Sequence, residues 1–140
     1  KDNYDVWILD SGTTNHLTNN ENILEDWTED NTEISVAKAG ATIKATKRGR
    51  VEFENCVLNE VLFVPNLSKN LISVNAIVKN GGEVLFSENK VSVIKNGSEM
   101  MAGRQLENGL FVLKMKVFAN RMILSLRIKQ PVIAIIGTRN

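Results

Sequence analysis

At 140 residues, with 43% hydrophobic and 24% charged side chains, the chain has the make-up of one ordinary globular domain that can bury a modest core. A single cysteine, Cys56, and a single histidine, His16, exclude an intrachain disulfide and a zinc site of three or four Cys/His ligands. The net charge of +1 hides a division: residues 1–113 carry 11 basic and 16 acidic side chains, net −5, whereas residues 114–140 carry six basic and no acidic ones, net +6.

The first predicted element is the apolar run Trp7-Ile8-Leu9, which ends in Asp10-Ser11-Gly12. A strand buried on both faces reads as an unbroken apolar run, so an aspartate at its end is held rigidly with low-dielectric walls behind it. Gly12 permits a sharp turn and the close approach of a substrate or a second chain, and Ser11 can hydrogen-bond across whatever the turn meets. The stretch from Asn19 to Asn31, rich in Asn, Asp and Glu, reads as surface loop around the anchors Ile23, Leu24 and Trp27.

Period-two alternation then predicts a hairpin, with strands Glu33 to Ala37 and Thr42 to Thr46 around a turn at Lys38-Ala39-Gly40-Ala41. The basic residues Lys44, Lys47, Arg48 and Arg50 lack interleaved aromatics and read as a solvated face, which makes nucleic acid an unlikely partner of this segment. Strands follow at Arg50 to Glu54, Cys56 to Leu58 and Val61 to Val64, with Cys56 read as a small buried hydrophobe. Leu71, Val74, Ile77 and Val78 recur at helical spacing and Gly81-Gly82 supplies a stop, so one short helix is predicted from about Ser73 to Asn80. Val84 to Ser87, Lys90 to Lys95 and Leu110 to Lys114 complete an all-β chain with that one helix, and turns at Glu88-Asn89 and Asn96-Gly97 join its later strands. The most apolar stretch of the tail, Arg121 to Ile136, is broken by Arg127, Lys129, Gln130 and Pro131 and is not read as a membrane span.

The segment Trp7-Ile8-Leu9-Asp10-Ser11-Gly12-Thr13-Thr14-Asn15-His16-Leu17-Thr18 resembles the active-site segment of the aspartic proteases of copia-type LTR retrotransposons, with Thr13 where that family usually has alanine. A second block, Val61-Leu62-Phe63-Val64-Pro65-Asn66-Leu67-Ser68-Lys69-Asn70-Leu71-Ile72-Ser73-Val74, is similar to the same family's second hallmark. Asn108 to Leu113 is similar to the segment that closes this region before the integrase part. The resemblance spans about residues 5 to 115, which makes residues 1–116 a protease domain and residues 117–140 a basic and apolar tail that matches nothing.

What the resemblance implies is a retropepsin-like closed β-barrel, active as a homodimer on the Gag-Pol polyprotein, with Asp10, Ser11 and Gly12 catalytic. It further implies no metal, no cofactor, no membrane partner and a place in the cytoplasmic virus-like particle. The polar start Lys1 to Asp5 carries no secretory signal, which suits a piece of a longer cytosolic polyprotein. The hairpin stands where such enzymes have their substrate-closing flap, and Ala39, Gly40 and Ala41 would be its substrate-binding tip; a plain surface hairpin is the equal alternative. His16, a customary residue of the family, reads as satisfying a loop beside the site. Retroviral proteases set a glycine turn before their helix, and Asn66 or Asn70 is expected to take any left-handed backbone needed there.

The chemistry agrees with a dimer. Amide hydrolysis by water needs one group to take a proton and another to give one, and a single ionised carboxylate cannot do both. Two carboxylates about 3 Å apart share one proton and supply both roles. The chain has one Asp-Ser-Gly and no second Asp-Thr/Ser-Gly, so the other carboxylate would be Asp10 of a second copy. A catalytically inactive β-barrel spacer of a decayed or domesticated transposon is the alternative.

Overall fold

The computed structural model describes residues 4–35, 40–117 and 134–137, the last four by backbone alone. β1 (Tyr4–Asp10) carries Trp7, Ile8 and Leu9, which only the middle of a sheet can hide, and it lies there between two strands. β8 (Asn70–Ser73) runs parallel to it with Asp10 opposite Ser73. β12 (Phe111–Lys116) runs antiparallel on the other side, with Ile8 opposite Val112.

Around this centre the remaining strands are β2 (His16–Thr18), β3 (Glu25–Glu29), β6 (Lys47–Glu52), β7 (Cys56–Phe63), β9 (Glu83–Phe86), β10 (Lys90–Lys95) and β11 (Ser98–Gln105). The sheet order is β3-β6-β7-β2-β8-β1-β12-β11-β10-β9, so β9 to β12 form a sequential meander while the other half is interleaved. β13 (Ala134–Gly137) comes from the tail and pairs in parallel with β7, Ala134 opposite Cys56. β3 and β9 end the strand order, and no strand pairing among the described residues joins them. Among the described residues the domain is all-β with one short α-helix, α1 (Val74–Lys79), and a 3-10 turn at Glu21–Ile23.

One core cluster draws on both halves of the sheet, including Trp7 and Leu9 of β1, Leu58 of β7, Ile77 of α1, Val93 of β10 and Leu113 of β12. The Trp7 ring meets Phe53 edge-on, centroids 5.6 Å apart. Phe53 also bridges to Val117, and the Glu54 N–H donates to the Lys116 carbonyl at 2.9 Å, which ties the β6–β7 turn to the end of β12. A smaller cluster of Leu17, Ile34, Ala45, Leu62 and Val64 packs under a separate two-stranded sheet, β4 (Glu33–Ser35) with β5 (Thr42–Lys44).

The predicted helix is present, α1 with Ser73 as its N-cap and Asn80 as its C-cap, and the two predicted hairpin strands pair as β4 and β5, while Val36, Ala37, Lys38 and Ala39 lie outside the described residues. Val78, counted on the helix's apolar face, is exposed instead. The expected loop from Asn19 to Asn31 contains β3, whose side chains are mostly exposed and so show no alternation. Carboxylates of this region and of β7 meet the basic residues of β6: Glu21 pairs with Lys47 at 2.6 Å, Asp26 with Arg50, and Glu60 with Arg48 at 2.5 Å. Asp26 and Glu60 are left-handed, φ 51° and 58°, at register shifts of the β3–β6 and β6–β7 ladders. Neither Asn66 nor Asn70 is left-handed; a turn closed by the Leu67 N–H to the Val64 carbonyl leads into β8, and Asn70 is its first residue.

Gly103 of β11 faces Leu113, and a Cβ on it would lie 2.1 Å from the Val112 carbonyl oxygen, a backbone atom fixed in the ladder. Gly103→Ala is therefore expected to destabilise the domain by about 2–3 kcal/mol in urea unfolding. An unchanged midpoint would contradict this packing of β11 on β12.

Candidate active site

β1 ends at the half-buried Asp10, and the chain turns at once through the exposed Ser11 and Gly12. The Gly12 N–H donates to Asp10 Oδ1 at 2.7 Å, so the turn itself orients the carboxylate. Gly12 is not in the left-handed region; a Cβ there would lie 3.2 Å from Asp10 Oδ1, a tight contact to which the carboxylate would have to give way. The turn does not use the expected freedom of backbone angle; what distinguishes the position is the closeness of the carboxylate.

Behind the turn stands Ser73. Its hydroxyl donates to the Thr13 carbonyl at 2.7 Å and accepts from the Ala76 N–H at 3.0 Å, so one side chain both caps α1 and holds the loop that follows Asp10. Its backbone N–H donates to His16 Nδ1 at 3.0 Å. From the first turn of α1, Asn75 Nδ2 donates to the Ser11 carbonyl at 3.3 Å. The turn is therefore gripped through the carbonyls of Ser11 and Thr13, which leaves the Asp10 side chain free of the helix.

Thr13 is buried, and its hydroxyl is satisfied locally: it donates to the Asn15 carbonyl at 3.1 Å and accepts from the Asn15 N–H at 3.3 Å. This lets a threonine occupy a position where the resembling family usually has alanine. Asn70 ties the strands below, accepting from Thr18 Oγ1 at 2.7 Å and donating to the Val6 carbonyl at 3.2 Å.

His16 is fully buried, and burial lowers its pKa from the ordinary 6.5 to about 4. It is neutral at physiological pH, with Nδ1 accepting and the proton on Nε2, a buried atom with no partner among the described residues. Burial likewise pushes the Cys56 thiol up to about 12, so it remains protonated and unreactive. No group of three His, Cys, Asp or Glu side chains among the described residues could hold a metal ion, and no helix among them is long and apolar enough to cross a membrane.

Of the expected flap tip, Gly40 is exposed at φ +73° and Ala41 is half-buried, while Lys38 and Ala39 lie outside the described residues. The hairpin is anchored through buried Ile34 in the cluster that includes Leu17, one residue after His16. Ser73 and Asn75 went unrecognised as supports of the site. In the sequence Ser73 reads as a helix start and as part of the second hallmark block, but nothing in local spacing reveals that it is the parallel partner of Asp10.

Residues 7–82 match the family model described as Pol polyprotein, beta-barrel domain. The chain belongs to this family. It is similar to the retrovirus-related Pol polyprotein from transposon RE1 of Arabidopsis thaliana, 32% identical over 111 residues that make up 70% of this chain and 7% of that polyprotein. The corresponding polyprotein from transposon RE2 of the same plant is 39% identical over 79 residues, 51% of this chain and 5% of its own length. A putative transposon Ty5-1 protein of Saccharomyces cerevisiae is 34% identical over 68 residues, 49% of this chain and 47% of that protein. These relatives bear out the resemblance to copia-type retrotransposon Pol polyproteins, and the chain spans under half the length of each. No solved structure matches it.

In this Pol β-barrel domain, folding lowers the proton affinity of His16, so the folded state loses stability as pH falls from about 6.5 to about 4 while the unfolded imidazole takes up its proton. This acid loss amounts to roughly 3 kcal/mol. In His16→Gln the fall in unfolding free energy over that window should shrink by about that amount, and an identical fall in both proteins would contradict a buried neutral His16. Ser73→Ala removes the cap and leaves the Thr13 carbonyl unpaired, and should cost about 2 kcal/mol in the same measurement.

Proposed function

We propose that this domain is an aspartic endopeptidase that cleaves the Gag-Pol polyprotein of its retrotransposon, and that its active site is completed by Asp10 of a second copy. The observation that carries the reading is the Asp10 turn: a carboxylate at the end of a central strand, oriented by the Gly12 N–H, in a turn whose Ser11 and Thr13 carbonyls are held by Asn75 and Ser73 and whose Ser11 and Gly12 are exposed. A turn braced so heavily on one side and open on the other suits a half-site that meets its twin across a two-fold axis. Membership of the Pol β-barrel family supports the polyprotein context.

In the proposed reaction the ionised Asp10 takes a proton from water as the water oxygen attacks the amide carbon. The protonated Asp10 of the other copy gives its proton to the carbonyl oxygen. The tetrahedral intermediate then collapses: the leaving nitrogen takes the proton held by the first Asp10, the C–N bond breaks, and one hydroxyl of the intermediate returns its proton to the other carboxylate, which restores the singly protonated pair. Ser11 would hydrogen-bond across the subunit boundary, and the β4–β5 hairpin, with Gly40 and Ala41 near its tip, would close over the substrate. The closed retropepsin-like barrel belongs to the same reading, supported by one core fed from both halves of the sheet. The site of action would be the cytoplasmic particle of the element.

Asp10→Asn should keep the fold, since an amide oxygen can still accept the Gly12 N–H, yet lower cleavage of a Gag-Pol precursor by at least about a hundredfold. Specific activity should also fall on dilution as the dimer dissociates. Cleavage retained by the purified variant would refute the assignment, and a monomer with concentration-independent or absent turnover would favour the non-catalytic spacer.

A further inference from the structure

Alternation divides β1 into two faces. Trp7 and Leu9 enter the core, whereas Val6 and Ile8 line the opposite face, and Asp10 shares their parity. On that face lies an open groove of about 580 Å³, continuous through Val6, Leu106 and Val112 with a second of about 320 Å³ that reaches Ile8. Its floor is apolar. Its rim carries Lys90, Arg104 and Lys114, with Lys69 at the second groove, and among the described residues no carboxylate lines either one.

The register explains the arrangement: Val6 faces Lys114, Ile8 and Arg104 both face Val112, and Lys90 faces Arg104, so these side chains share one side of four adjacent strands. The rim cations are also distinctive in their pairing. Lys47, Arg48 and Arg50 on β6 each meet a carboxylate, whereas Lys69, Lys90, Arg104 and Lys114 meet none among the described residues. Lys114 also borders a neighbouring cavity that holds Glu54 and Glu99. In a body whose residues 1–113 carry net −5, this is a segregated positive edge around an apolar floor.

Resting on the protease reading, we propose that this face is a docking surface for an extended acidic and apolar segment of the polyprotein substrate, gripped away from the bond that is cut. Strand geometry sets Ile8 about 7 Å from Asp10 along the same face, so a chain leaving the site can run onto the groove. Charge selects the occupant. The chain's own tail, residues 117–140, carries four basic and no acidic side chains, so its charge disfavours it as the occupant of a cationic rim. RNA would need stacking platforms, and among the described residues no aromatic side chain lines either groove.

The test is fluorescence anisotropy on the full chain carrying Asp10→Asn, with a labelled peptide that alternates valine and glutamate and a second in which glutamine replaces glutamate. The glutamate peptide should bind about tenfold tighter, and weaken as salt is raised. Lys90→Glu with Arg104→Glu should remove that advantage, whereas Lys79→Glu, the same charge change on α1, should not. Equal affinity for both peptides, equal loss in Lys79→Glu, or tighter binding of an RNA homopolymer would overturn the proposal. Should the double variant fail to fold, Arg104→Gln and the salt titration of the unaltered rim decide the same point. Cleavage by the Asp10-intact chain is scored separately: charge-selective binding without cleavage removes the protease reading and keeps the surface, and cleavage without charge-selective binding removes the surface alone.

Discussion

The parallel pairing of β1 with β8 sets the rest of the molecule in place. With Asp10 opposite Ser73, the strand that ends in the carboxylate lies beside the strand that begins α1, and the Ser73 hydroxyl can reach both the Thr13 carbonyl and the Ala76 N–H. A slip of one residue would turn every side chain of β1 to its other face, and would take Trp7 and Leu9 out of the core. The site and the core therefore rest on one register. His16 reinforces it from β2, since its neutral imidazole accepts the N–H of the same serine.

That register needs help from far along the chain. The family match ends at residue 82, yet β1 takes its antiparallel partner from β12, at Phe111–Lys116, and its core contacts from β10 as well. The meander from β9 to β12 thus continues the sheet from the strand that bears Asp10 and shares its core. Its outer face supplies the cationic rim, so the part of the chain beyond the family match shapes the surroundings of the turn without supplying its central residues.

Much of this was legible in the sequence wherever local chemistry decides structure. An apolar run into Asp10-Ser11-Gly12 marked the turn, helical spacing before Gly81-Gly82 marked α1, and Asn96-Gly97 marked a hairpin whose two residues are both left-handed, φ 53° and 79°. What stayed hidden depends on distant partners. β2 and β8 have three and four residues, too few for a period, and exist because β7 and β1 pair with them. β3 is held by ladder bonds and arginine contacts to β6, so its acidic sequence reads as loop. Gly12 follows Asp10 in the turn without the unusual backbone angle expected of it, and lies close beside the carboxylate instead.

A site shared between two copies makes a prediction that no single-chain enzyme can satisfy. Asp10→Asn subunits are mixed with intact subunits at fixed total concentration and allowed to exchange, and cleavage of a Gag-Pol precursor is measured against the intact fraction. If both carboxylates are required, activity follows the square of that fraction, because only dimers with two Asp10 side chains turn over. Activity that falls in simple proportion to the intact fraction would mean that each chain cuts alone, and would contradict the shared site.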